Sequence, residues 1–334
     1  MSTEGGVRAV IAALLANLGI AASKFVAFAF TGSSSMLSEA IHSLADSGNQ
    51  ILLLIGNRRS KQGPDARHNF GYGRRRYVYG FIVSIILFLV GGLFSLYEGL
   101  HKWQHPEPLT DWWIAIVVLV VAIGLESMSF RTAIREANQA RGKRSLARFV
   151  KDARQPELPV ILLEDLGALV GLAFALVGVS LAVVTGNGRF DALGAMAVGL
   201  LLVVIAIFLA VEMTAMLVGE SALPEQVEAI RSALSAARGV QQVIHLRTVH
   251  VGPDELLVAA KIAIAPDATG RQIVRDIDDA EQAVRAAVPT ARYIFLEPDV
   301  VREQDHLRGP DPVREPDVTS GLDVTPGSNV RGMS

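Results

Sequence analysis

Long apolar runs separated by polar turns fill the first two-thirds of the chain, and a different rhythm takes over after residue 218. Six runs, at 10–30, 35–56, 77–100, 112–130, 158–185 and 192–218, each hold about 20 residues or more, enough helix to cross a ~30 Å hydrocarbon core. Trp112 and Trp113 open the fourth run, where indoles favour the membrane–water interface. Beyond 218, Leu223-Pro224-Glu225-Gln226 reads as a helix start, with proline early and acid in the first turn. Alternating positions at 243–251 and 256–265, joined by Gly252-Pro253-Asp254, read as two strands. A helix over 269–287 and a short strand at 292–296 complete the order αββαβ, which predicts a ferredoxin-like α+β domain. From 303 onward Pro, Gly, Asp and Arg dominate, the composition of a disordered tail. The expected domains are therefore a transmembrane unit at 1–218, an α+β unit at 219–302 and a tail at 303–334.

Composition sharpens this picture. Hydrophobic residues make up 51% of the 334 residues, charged ones only 19%, and the mean hydropathy is +0.37. That balance suits a membrane domain joined to a soluble one. Charge distribution sets the expected orientation. Residues 57–76 carry seven Lys and Arg and residues 131–154 carry eight, whereas the alternate loops hold only Lys102 and Arg189. By the positive-inside rule the basic loops, and with them both termini, are cytoplasmic. The start of the chain lacks the Arg-rich amphipathic run of a transit peptide, which points to a bacterial inner (plasma) membrane. No cysteine is present, so any metal must be held by nitrogen and oxygen.

The second apolar run is interrupted by Glu39, His42 and Asp46. On a helix these three lie within roughly 60° of one another, and His42 and Asp46 form an i, i+4 pair able to grip one ion. Ionisable groups at bilayer depth are costly and mark ion or proton paths. The fifth run carries a second acidic pair, Glu164-Asp165. Counting from the cytoplasmic ends puts Asp46 roughly 16 Å and Asp165 roughly 12 Å into the membrane, close enough to share a level. Being adjacent, Glu164 and Asp165 point about 100° apart, so one of them is expected to face His42 and Asp46 squarely. One imidazole with two or three carboxylates suits four-coordinate Zn²⁺, and Mn²⁺, Fe²⁺ or Co²⁺ accept the same donors. The bland alternative is interhelical glue, in which Lys24 pairs with Glu39 or Glu126.

At these residues the chain resembles the cation diffusion facilitator family of metal transporters. The resemblance rests on Asn17 and Lys24, on Thr31-Gly32-Ser33 followed by Ser38-Glu39-Ala40-Ile41-His42-Ser43-Leu44-Ala45-Asp46, and on His68-Asn69-Phe70-Gly71-Tyr72-Gly73-Arg74. The run Pro159-Val160-Ile161-Leu162-Leu163-Glu164-Asp165 is similar to that of the family's zinc transporter 9-like branch. The resemblance implies a homodimer in which spans two and five hold the transported ion and divalent metal leaves the cytoplasm against protons. It implies no cofactor and no enzymatic activity. His42 and Asp46 match the family's span-two ligands, and Asp165 matches the acid of its span-five pair. The histidine expected there is replaced by Ile161, leaving Glu164 or water to complete the set and hardening the site toward Mn²⁺. His42, whose ring ordinarily titrates nearest neutrality, is the candidate proton-coupling ligand, with Lys24 and Glu39 as ion-pair or path residues.

Two accessory sites of the family are eroded. Asp65 and His68 keep part of a loop metal site, with Tyr72 in a histidine position. In the α+β domain His245 and Glu297 match regulatory ligands, but Lys261 and Phe295 occupy the other two positions, and a lysine opposes a cation. His250, on an alternating strand, reads as a surface or packing residue. The lost span-five histidine also motivates a second class of function, a membrane scaffold or regulatory subunit that moves no ion. A nucleic-acid partner is not expected, because the basic residues flank membrane spans; the lipid bilayer is.

Overall fold

The structure, a computed structural model, describes residues 3–106, 109, 111–142 and 144–300. The expected tail from 303 lies outside these residues. Two compact units emerge. The first gathers the described helices up to 227 together with 248–258 and 289–293, and the second holds 228–247, 259–288 and 294–300.

The first unit is a bundle of span-length helices: α1 (Thr3–Thr31), α2 (Ser34–Ser60), α3 (Arg75–Ile86) continuing through a π-helical stretch (Leu87–Leu93) into α4 (Phe94–Gln104), α5 (Trp112–Arg141), α7 (Glu157–Thr185) and α8 (Arg189–Val218). Between α5 and α7 lies α6 (Leu146–Asp152), an element of about two turns that periodicity does not signal. Among the described residues four helices, 75–104, 112–139, 157–185 and 189–218, are long and apolar enough to cross a membrane. The 27-residue α2 is long enough but falls short in apolarity because its buried face carries Glu39, His42 and Asn49. Its polar residues turn inward, the reverse of a surface helix, as expected where lipid is the solvent.

Helix packing in such a bundle rests on close backbone approach rather than on hydrophobic sorting. The seam between the third span and α8 shows why its glycines are there. A Cβ at Gly199 would stand 2.7 Å from the Leu96 backbone nitrogen, and one at Gly99 would stand 2.9 Å from the Ala192 carbonyl. One apolar cluster joins Leu53, Val83, Leu87, Val160, Leu202 and Leu209; a second joins Ala27, Met36, Leu119, Leu172 and Val179. These clusters bracket the polar interior from opposite ends of α2 and α7.

The turn at 31–33 is tied to α8 by Asp191, which is wholly buried. Ser33 Oγ donates to Asp191 Oδ1 at 2.7 Å, and the Ser34 and Ser35 backbone N–H groups donate at 2.8 and 3.3 Å. Ser34 Oγ adds a further bond at 3.0 Å. A carboxylate from one helix thereby satisfies the otherwise orphaned donors at the N-terminus of another.

The remaining elements are α9 (Pro224–Ala236), β1 (Val240–Gly252), β2 (Glu255–Ile264), α10 (Gly270–Ala287) and β3 (Ala291–Asp299), the αββαβ order read from the pattern. The sheet order is β1-β2-β3. Leu256, Val258, Ala260 and Ile262 of β2 alternate inward, and Thr269 with Gln272 forms a capping box at the start of α10.

Candidate metal site

Asp46 from α2, Glu126 from α5 and Glu164 with Asp165 from α7 line one small polar cavity of about 10 Å³, with Asn17, Ser43 and Gln50 completing its wall. That volume is about the size of a single water molecule. The carboxylates of α2 and α7 therefore do share a level. Both members of the Glu164-Asp165 pair reach the cavity, although they are adjacent on the helix. They do so by taking different partners: Asn49 Nδ2 donates to Glu164 Oε1 at 2.8 Å, and Ser129 Oγ donates to Asp165 Oδ2 at 3.0 Å. Neither residue is more than 9% exposed.

His42 is wholly buried and does not line the cavity. Its Nε2 stands 3.4 Å from Asp46 Oδ2, and neither ring nitrogen has a hydrogen-bond partner. Asp46 Oδ1 is likewise buried and unpartnered. Among the described residues no three His, Asp or Glu side chains are placed to hold one ion simultaneously. The donors are gathered around one space without being closed into a cage. Ile161, at the position of the expected histidine, packs with Leu158 and Phe130 against an apolar cluster centred on Ala133 and Phe149.

Lys24 and Glu39 form an ion pair of 3.0 Å in which both side chains are wholly buried. The Lys24 ammonium also donates to Ser43 Oγ at 2.7 Å. Glu126 carries the weakest sequence signal of the cavity acids, reading there only as a structural partner for Lys24. It sits on α5, most of which faces outward, and the contrast between a single buried acid and its exposed apolar neighbours is the signal that could have found it.

The accessory positions are engaged otherwise. Asp65 Oδ1 accepts from the backbone N–H groups of Arg67 and His68 at 2.8 and 2.6 Å, and Oδ2 accepts from the Tyr72 hydroxyl at 2.6 Å. The Tyr72 bond above all, then the backbone N–H of His68, draws the Asp65 carboxyl down to about 2. The residue standing in the histidine position has thus become the partner of the acid. In the α+β domain Lys261 Nζ lies 3.0 Å from both Glu297 and Asp299, which raise its pKa, so a tethered ammonium occupies the space between two carboxylates. His245 is exposed and His250 is buried.

An apolar bundle enclosing a cavity lined by four carboxylates, followed by an αββαβ domain, defines an integral membrane protein with a buried acidic site. The chain belongs to the cation efflux family, a family of transporters rather than enzymes: the family model described as the cation efflux transmembrane domain matches residues 10–218, and the model of the cation efflux protein cytoplasmic domain matches 222–299. The mitochondrial proton-coupled zinc antiporter SLC30A9 of Mus musculus is 35% identical over 255 residues, 75% of this chain and 44% of that protein. Metal tolerance protein C4 of Arabidopsis thaliana is 27% identical over 271 residues, 80% of this chain and 58% of that protein. The cation-efflux pump FieF of Escherichia coli is 26% identical over 253 residues, 75% of this chain and 78% of the pump. The chain spans less than half the length of the SLC30A9 relative. Because that relative is named as mitochondrial, the expectation of a bacterial inner membrane is not supported, and integral membrane protein is the statement that stands.

Proposed function

We propose that this chain carries divalent metal ions, zinc foremost, out of the cytoplasm in exchange for protons, working as a homodimer by alternating access. The observation that carries this reading is the cavity itself: four carboxylates from three helices converge on one small space inside a lipid-facing bundle, with His42 behind Asp46. Isolated acids at this depth would be costly, and their convergence is intelligible if a cation visits them. Metal ligands must shed protons before they bind, so an ion entering among Asp46, Glu164 and Asp165 displaces protons. The same groups, reprotonated on the other side, release it. The name of the SLC30A9 relative supports zinc and proton coupling. The cytoplasmic-domain match and the family's dimeric habit support the homodimer.

The replacement of the span-five histidine by Ile161, with oxygen donors alone lining the cavity, favours a second cargo, Mn²⁺ or Fe²⁺. Flux assays in proteoliposomes under an imposed pH gradient separate these readings. Zinc uptake should follow the gradient and collapse at least about a hundredfold in Asp46→Ala and Asp165→Ala, the scale expected when a charged ligand is deleted. Wild-type flux in both variants would remove the site assignment. Manganese flux exceeding zinc flux would reverse the order of cargoes.

A further inference from the structure

Four carboxylates (Asp46, Glu126, Glu164 and Asp165) line the cavity, and behind its Ser43 wall lies a buried ammonium, that of Lys24, paired with Glu39. An ion pair that served only to fasten α1 to α2 would be expected to satisfy both of its members. This one does not. Glu39 gives Lys24 one oxygen, while its other oxygen is buried without a hydrogen-bond partner and lies against Gly171 of α7, 2.7 Å from where a Cβ would stand. The second bond of the ammonium goes to Ser43 Oγ, and Ser43 is part of the cavity wall. The positive charge is therefore held on one side by its counter-ion and on the other by a hydroxyl of the wall that Asp46 shares.

We propose that Lys24 is a built-in competitor of the transported ion, its ammonium tethered by Glu39 and directed through Ser43 at the cavity so that it loosens cation binding and leaves one positive charge among the acids once the ion departs. This rests on the reading of the cavity as the ion site. In a poorly screened interior, like charges a few ångströms apart repel strongly, and a divalent ion feels twice the repulsion of a monovalent one. A carrier gains from such opposition. Carboxylates alone would hold a divalent ion too firmly to let it go, and movement through a site requires binding weak enough to leave. The emptied cavity would otherwise keep an uncompensated cluster of acids at bilayer depth.

The test is calorimetric titration of the full-length protein with Zn²⁺ and with Mn²⁺, beside zinc flux in proteoliposomes. Lys24→Gln should bind about tenfold more tightly and turn over more slowly, Lys24→Arg should resemble wild type, and Glu39→Gln, which frees the ammonium from its counter-ion, should bind about tenfold more weakly. A purely structural pair would move the two neutral variants in the same direction. Should Lys24→Gln fail to fold, the double variant Lys24→Gln/Glu39→Gln leaves no unpaired charge and should still bind more tightly than wild type. A folded Lys24→Gln or Lys24→Gln/Glu39→Gln protein that binds with wild-type or weaker affinity, when the wild type does bind metal, overturns the role of Lys24 alone. A wild type that binds neither ion overturns the site reading and this inference together.

Discussion

Gly171 is where the chemistry of α2 meets the backbone of α7. Because a Cβ there would stand 2.7 Å from Glu39 Oε1, Gly171→Ala must displace a buried carboxylate. Thermal unfolding in detergent should show a loss of about 1–3 kcal/mol, the usual scale of overpacking. His250 offers a second test at this scale. Burial first, and the Arg154 guanidinium second, push its ring down to about 4 from an ordinary value near 6.5. The unfolded chain therefore binds the proton more readily, and the contribution of His250 to stability is complete above about pH 6.5 and fades as pH falls toward 4. A stability–pH series in that window should flatten in His250→Gln. The residues of the cavity were unevenly legible. Asp46 announces itself by its spacing from His42, which stands behind the cavity, and Asp165 by its level. Glu126 does not, because a lone acid on an outward-facing helix has no periodic partner to mark it. Nor can a linear reading show that Asn49 and Ser129 steer Glu164 and Asp165 into one space.

Among the elements, α2 depends on a group far away in sequence. Asp191→Ala would leave the Ser34 and Ser35 backbone donors, together with the Ser33 and Ser34 hydroxyls, without their acceptor inside the bundle. A cost of about 1–3 kcal/mol per unsatisfied buried group makes this variant more damaging than any exposed substitution, and purified yield and melting temperature should both fall. Hydropathy reads such an aspartate as part of a turn beside Arg189, since the 157-residue separation between Ser34 and Asp191 hides the pairing. Local signals fared better. Pro224 opens α9 and the Thr269–Gln272 box opens α10, both within a residue of their expected places. The π-helical stretch at 87–93 escaped because Leu-Phe-Leu-Val-Gly-Gly-Leu is as apolar as any span, and its widened winding arises where Gly92 meets Val203 and Gly199 of α8.

For the whole molecule, order of elements and membrane character follow from the apolar runs and the later alternation, because lipid imposes those patterns on any chain that crosses it. The cargo of the proposed transport is written more faintly, in one substituted position and one unclosed set of donors. If zinc binds the folded protein and not the unfolded chain, adding it at about a hundred times its Kd should stabilise the protein by about 2.7 kcal/mol. A thermal-shift assay on wild type and Asp46→Ala reads this directly, with the shift expected only in the former. The Asp191 clasp then acquires a mechanical meaning. It fastens the first turn of α2 to the first turn of α8. The helix that carries Asp46 is thus anchored at its first turn by a residue that hydropathy alone would leave in a turn.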